Sequence, residues 1–313
     1  MTKKQIAWVT GAAGFIGRHV AAKLQADGWT VVGIDRSASP TGAQVIGDLT
    51  RAALDTALRT YGAPNLVFHG AGTGSVGDSA RDPLASHRDL VTATEILLAT
   101  LLANAPTARV VFPSSAAVYG DAGSASLSET SPVNPISPYG QHKLAAENVC
   151  TAAAGQGLSV AIIRLFSVYG PGLRKQLPWD LSRKLLAGDG LVTLFGTGAE
   201  TRDFLNVADV AELIALVGVA PFTSPLVVNG GTGIATRIDE FAAVLAEALG
   251  VTAKVGFNGE TRPGDPQHYR ADTRVLTGLG FRPQINLQAG LAGYAAWIKA
   301  QTHTSAPRDA QCP

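Results

Sequence analysis

The chain has 313 residues, 46% of them hydrophobic and 16% charged, which excludes disorder and asks for a sizeable core divided over about two lobes. Its 25 basic and 24 acidic side chains leave a formal net charge of +1 with no basic block, which excludes a nucleic-acid or anionic-membrane surface. An anionic ligand must therefore be held by a few placed groups. Cys150 and Cys312 show neither CxxC spacing nor a metal-ligand cluster, which fits a reducing cytoplasmic setting and predicts no metal site. No run approaches the roughly 18 apolar residues of a membrane span. The apolar run near the start is shorter than the roughly 7–15 residues of a signal peptide and reads as a buried strand.

That strand is "IAWVT" (6–10), followed by a helix over 15–28 closed by Gly28 and a second strand, "TVVGID" (30–35). A helix over 52–62, a strand over 65–71, a long apolar helix over 90–105 and a strand over 109–115 come next. A helix opened by Tyr139 runs to about Gly155, and "SVAIIRLF" (159–166) is again a strand. Strands apolar along their length, alternating with helices, predict an α/β, doubly wound parallel sheet of Rossmann type. After residue 166 the pattern changes. A Gly/Pro-rich crossing loop (167–179) leads to a short helix (180–190), a strand (191–196), a helix (207–218) and a strand (225–231). An amphipathic helix over 236–250 has Asp239 near its start and Gly250 at its stop. The polar end, 302–313, reads as a loose tail.

"TGAAGFIG" (10–17) joins the first strand to the first helix and places Gly11, Gly14 and Gly17 in a GxxGxxG pattern. Such glycines allow a tight turn and let backbone approach a pyrophosphate at a helix N-terminus. Asp35 ends the second strand 18 residues after Gly17. A carboxylate there accepts the ribose hydroxyls of NAD and repels the 2′-phosphate of NADP; neighbouring Arg36 is the one residue suited to tolerate that phosphate. The expected division is an NAD-binding lobe over 1–167, with returning segments near 203–230. A smaller C-terminal α/β substrate lobe takes 168–202 and 231–301. The cleft should lie at the carboxyl ends of the first lobe's strands.

In "SPYGQHK" (137–143), Tyr139 and Lys143 stand four residues apart behind Pro138, so both face one side of a helix's first turns. Alone, this stretch also fits an exposed helix start with a solvated lysine. In order along the chain, however, "GAAGFIG", "SSAAVYG" (114–120), "SPYGQHK" and "TRDFLNVADV" (201–210) resemble the extended short-chain dehydrogenase/reductases. Within them the chain is similar to the NAD-dependent epimerase/dehydratase group acting on nucleotide sugars. The likeness reaches to about residue 300 and includes "GDL" (47–49), "HGAG" (69–72), "VNGGTG" (228–233) and "RPGDPQHYRAD" (262–272).

The resemblance implies catalysis by Ser115, Tyr139 and Lys143. The ammonium would lower the phenol's pKa so that Tyr139 acts as acid and base toward a sugar hydroxyl. It implies NAD contacts at Gly11, Gly14, Phe15, Ile16, Gly17, Asp35, Arg36, Asp48, Leu49, Gly70, Ala71, Gly72, Tyr139 and Lys143. Substrate contacts are implied at Gly74, Ser115, Ser167, Arg202 and Arg262, the two arginines facing a nucleoside diphosphate. Ser114 competes with Ser115, but neighbouring strand residues point to opposite faces. His69 and His142 are read as structural. The implied reaction is 4-epimerisation of a UDP- or other NDP-hexose through a transient 4-keto sugar. The alternatives are a 4-keto-sugar reductase or a dehydratase and, in another class, a non-catalytic NAD-binding sensor. The resemblance also implies a homodimer built on the helices over 90–105 and 139–155, the latter with Leu144, Ala145, Val149 and Ala152 off its Tyr–Lys face.

Three positions depart from the family pattern. Ser167 replaces a frequent Asn, Asp89 aligns with another Asn, and Gly74 stands where some galactose epimerases carry a lysine. Ala116 and Ala117 occupy the positions of the acidic pair of 4,6-dehydratases.

Overall fold

A computed structural model of the chain describes residues 5–121, 123–188, 190–260 and 267–304. It begins with β1 (Ile6–Thr10), α1 (Phe15–Ala26), β2 (Thr30–Asp35), β3 (Ala43–Ile46), α2 (Arg51–Tyr61) and β4 (Leu66–His69). Short helices α3 (Val76–Arg81) and α4 (Pro83–His87) lead through one π-helical turn, Arg88–Thr92, into α5 (Ala93–Asn104). Then come β5 (Arg109–Ser115), α6 (Pro138–Gly155) and β6 (Ser159–Leu165). The remainder comprises β7 (Ser167–Tyr169), α7 (Gln176–Ala187), β8 (Leu191–Leu194), β9 (Thr201–Arg202), β10 (Phe204–Asn206), α8 (Val207–Val219) and β11 (Leu226–Gly230). It ends with β12 (Thr236–Arg237), α9 (Ile238–Leu249), β13 (Lys254–Phe257), α10 (Arg274–Gly278) and α11 (Leu287–Thr304).

The main sheet has seven parallel strands in the order β3-β2-β1-β4-β5-β6-β11. Its faces are covered separately, as the uninterrupted apolar strands require. On one side Val20, Ala21 and Leu24 of α1 pack with Leu213, Ile214 and Val217 of α8. On the other, Leu54 of α2, Leu97 and Leu101 of α5, and Ala146 and Cys150 of α6 fill the core. A third core joins Leu181 and Leu185 of α7, Phe241 and Leu245 of α9, and Leu291 and Tyr294 of α11. The α/β Rossmann-type fold is as the sequence predicts. The order reverses between β1 and β4, so a crevice opens where their carboxyl ends diverge.

Four local features differ from expectation. β3 was not legible because its residues are half-exposed or exposed and form no apolar run. α7 starts at Gln176 rather than 180, since Pro178 sits in a first turn where no intrahelical N–H is needed. The start of the long apolar helix is a π turn. α11 continues to Thr304, into the expected tail; 305–313 lie outside the described residues. Among the described residues no helix is long and apolar enough to cross a membrane.

Candidate active site

The glycine loop is fixed by close approach. Gly11 has φ +70°, and a Cβ there would lie 2.6 Å from the Gly70 backbone; a Cβ on Gly17 would lie 2.0 Å from the Gly11 carbonyl. The ends of β1 and β4 can therefore abut, with Gly70 N–H on the Thr10 carbonyl at 3.0 Å, while Gly11 N–H reaches the Ile34 carbonyl of β2 at 2.9 Å. Gly14 caps α1 without a side-chain hydrogen bond, so the first N–H groups of the helix are left for an anion. Gly11, Gly14, Phe15, Ile16, Gly17, Gly70, Ala71 and Gly72 all line one cleft of about 1170 Å³. His69 sits beneath it and is structural. Ala71 N–H donates to the Thr10 hydroxyl, which meets His69 Nδ1 at 2.8 Å, while Nε2 meets Thr94 Oγ1 at 2.9 Å. Burial, then the Lys143 charge, pushes its pKa down to about 3, so it stays a neutral brace.

Asp35 is placed beside this loop, accepting from the N–H groups of Ala13 (3.0 Å) and Ser37 (2.9 Å). Asp35, Arg36, Asp48 and Leu49 lie beyond the cleft lining, around the end of β2. Leu49 packs into the core side of α2. Arg36 is engaged by two carboxylates. Its Nη1 and Nη2 make a bidentate pair with Asp89 at 3.1 and 3.0 Å, and its Nε donates to Asp48. Asp89 thus turns away from the cleft, and its neighbour Leu90 lines it instead, against Gly72. Both residues lie in the π turn over 88–92.

The proposed acid–base groups come together at the end of β5. Ser137 caps α6 by accepting from Gly140 N–H at 3.2 Å, with Pro138 at the first helical position. A Cβ on Gly140 would lie 2.5 Å from the Ala117 carbonyl, so glycine lets the helix press onto the turn after β5. This brings the half-buried Tyr139 into a hydrogen bond with Ser115, whose Oγ also accepts from Ala117 N–H at 3.1 Å. Ser114 points elsewhere, donating to Glu147. Lys143 is 7% exposed; its Nζ donates to the Pro113 carbonyl at 2.7 Å and lies 5.9 Å from the Tyr139 ring centre.

The electrostatics correct one expectation. Burial pushes the Tyr139 phenol up to about 12, with the Ser115 hydrogen bond pulling the other way. The ammonium is turned to the Pro113 carbonyl, and burial brings its own pKa down to about 8 against support from Cys150 and Glu147. Helical spacing placed both groups on one face but not at contact distance.

Sequence reasoning missed the layer beneath. Arg164 on β6 donates to both oxygens of Glu147 on α6, its Nη2 at 2.8 Å, and to the Tyr119 hydroxyl at 3.1 Å. Tyr119 donates to Asn229 of β11 at 2.7 Å. Glu147 is four residues after Lys143, one turn on, which was the available signal. His142 lies off this face with its Nδ1 on the Ser86 hydroxyl at 2.9 Å. The far wall of the cleft contains Gly74, Ser167 and Arg202, with Arg202 Nη1 on the carbonyls of Thr201 (2.9 Å) and Gln267 (3.3 Å). Arg262 lies outside the described residues. No group of three or more potential metal ligands occurs among the described residues.

The model of the NAD dependent epimerase/dehydratase family matches residues 7–229. The UDP-glucose 4-epimerase of Mycolicibacterium smegmatis is 34% identical over 91% of this chain and 95% of its own length. Among solved structures, MoeE5 in complex with UDP-glucuronic acid and NAD is 35% identical with a TM-score of 0.85, covering 95% of this chain and 99% of its own. The Thermus thermophilus UDP-glucose 4-epimerase complex with NAD is 28% identical with a TM-score of 0.86, covering 94% and 99%. The glycine loop between β1 and α1 and the Ser–Tyr–Lys corner lie within the matched span, and the chain belongs to the NAD dependent epimerase/dehydratase family.

Proposed function

We propose that the protein inverts C4 of a nucleoside-diphosphate hexose with NAD as a tightly held cofactor. The residues present suit that dinucleotide: the loop that a Cβ would block, the uncapped α1 terminus and the Asp35 carboxylate provide for its diphosphate and a ribose. When bound, NAD supplies the hydride acceptor and donor. Tyr139 takes the proton of the C4 hydroxyl and returns it, Ser115 holds that oxygen, and Lys143 keeps a positive charge behind the phenol. Arg202, and Arg262 by its motif, serve the substrate diphosphate.

One observation carries epimerisation over dehydration. The residues following Ser115 at the cleft are Ala116 and Ala117, which can neither give nor take a proton at C5 or C6. Their small size leaves room for a keto sugar to turn. The retained Ser115, Tyr139 and Lys143 argue against a non-catalytic sensor. The test is incubation with UDP-glucose, UDP-N-acetylglucosamine, UDP-glucuronic acid and their 4-epimers, without added reductant, followed by proton NMR. Inversion with no mass change is expected. A product lighter by one water, or a strict need for stoichiometric NADH, would overturn the reading.

The working unit proposed is a homodimer through α5 and α6. Ile96, Leu102, Leu144 and Val149 are only half-buried there and Ala152 is exposed, more apolar surface than solvent favours. A monomer mass by sedimentation at micromolar concentration would refute it. The proposed setting is cytoplasmic.

A further inference from the structure

The segment between β7 and α7 contributes Leu173 and Lys175 to the cleft lining and is tied down on three sides. His19 of α1 donates from Nε2 to the Pro171 carbonyl at 2.9 Å. A Cβ on Gly172 would stand 3.7 Å from the Phe15 ring and from Arg18, so this point rests on the first turns of α1. Arg174 is anchored away from the cleft, with Nη2 on Gln301 of α11 and its guanidinium 5.7 Å from the Trp297 ring centre. Lys175 reaches the opposite way, and its Nζ donates to the Gly74 carbonyl at 3.2 Å. Gln176 follows with φ +64°, a left-handed conformation unusual for a non-glycine residue and held by the anchors before it. Such outliers gather at ligand clamps.

The strap therefore spans from the N-terminal end of α1 to the loop after β4, the two elements that flank the glycine turn. An ammonium has three donors, and the Gly74 carbonyl takes one of them. Asp78 also feels the Lys175 charge, but its carboxylate is already committed to the Ser75 hydroxyl and to Arg81. We propose that Lys175 is a cofactor-binding residue whose ammonium meets the dinucleotide diphosphate from the side opposite the α1 terminus. The helix offers N–H groups and the strap offers a full positive charge. A Cβ on Gly74 would fall 3.0 Å from Lys175 Nζ, so a side chain at 74 and the side chain of Lys175 reach the same place. The chain thus delivers from its strap a charge that a lysine at position 74 would deliver from the loop.

This inference rests on the NAD reading above, and its test separates the two. Apo-protein is titrated with NAD, ADP, adenosine and UDP at low and moderate salt, for the wild type, Lys175→Met and the double variant Gly74→Lys/Lys175→Met. Loss of one charge-assisted hydrogen bond should weaken NAD and ADP by about tenfold in Lys175→Met, with adenosine unchanged and a shallower salt dependence. Gly74 has no positive φ to forbid a side chain, so the double variant should recover most of the loss. Unchanged ADP and NAD affinity in Lys175→Met, on a protein whose wild type binds NAD, overturns this inference alone. Weakened UDP with intact ADP assigns the lysine to the substrate and overturns it too. A wild type that binds no NAD removes the underlying reading and this one with it. Lys175 is exposed, so an unchanged melting temperature is the control for folding.

Discussion

Glu147 and Arg164, under the Ser115–Tyr139 corner, have side chains 5% and 8% exposed, whereas Arg36 and Asp48, beside β2, are 60% and 65% exposed. Both clusters join an arginine to carboxylate at hydrogen-bond distance, and both lie outside the cleft lining. Their energetics diverge because water screens only one of them. Removing one partner of the buried pair strands a charge in the core. Removing one partner of the exposed pair frees an arginine that solvent can hold. The first cluster is expected to govern stability and the placement of β5 and α6, the second to govern which cofactor is accepted.

The largest effect belongs to the corner that the buried pair supports. Tyr139→Phe keeps the ring and removes the hydroxyl hydrogen-bonded to Ser115. Turnover should fall by roughly 10²–10⁴-fold, the range of a lost general acid–base group, with NAD affinity kept. Steady-state rates and NAD titration measure both, and a wild-type rate would remove Tyr139 from its role. Glu147→Ala should come next, destabilising the fold by about 3–5 kcal/mol, since Arg164 loses its partner and the Ser114 hydroxyl its acceptor. Denaturant unfolding reads it. A cost under about 1 kcal/mol would mean the pair is solvated like its exposed counterpart.

Lys143 probes the same buried region through pH. Burial lowers its pKa from 10.5 to about 8, so between these values the unfolded chain holds a proton that the folded chain has lost. The desolvation cost is fully present below pH 8, shrinks as pH rises, and is gone above 10.5. Lys143→Met should therefore lose activity yet gain stability at pH 7. The pKa fall corresponds to about 3 kcal/mol, reduced by the forfeited bond to the Pro113 carbonyl to about 1–2 kcal/mol. Melting curves from pH 7 to 10.5 should show the gap closing. A gap that stays flat would show that this lysine does not titrate as its burial implies.

The two clusters were not equally readable beforehand. The glycine loop, Asp35 and the Tyr139–Lys143 pair are local patterns, each set by strand, turn or helix period within a few residues, and the structure puts them where period and spacing say. The layer beneath them joins β5, α6, β6 and β11 through Ser114, Glu147, Arg164 and Asn229, and no local period announces such long-range pairs. Lys175 and Gly74 are separated by 101 residues. Asp89 and Leu90 fall in a π turn, which a helical period of 3.6 does not anticipate. The Tyr139 pKa failed for another reason: spacing gives the face, while the Lys143 Nζ direction depends on the Pro113 carbonyl, which only the folded chain brings near.

The smallest expected effect is in the exposed cluster and tests the comparison most directly. Asp89→Ala releases the Arg36 guanidinium from its bidentate partner and leaves only Asp48 on its Nε. Stability should change by less than about 1 kcal/mol, because Arg36 is largely exposed. The arginine can then turn toward a 2′-phosphate, which guanidinium geometry suits. Asp35 is untouched and still repels that phosphate, so NAD should remain preferred, but its advantage over NADP should narrow by about three- to tenfold. Parallel titrations of apo-protein with the two cofactors measure the ratio. If the ratio does not move, Arg36 is not what Asp89 restrains, and the selectivity rests on Asp35 alone. If stability instead falls as far as in Glu147→Ala, the exposed cluster is structural after all, and the contrast between the two clusters is lost.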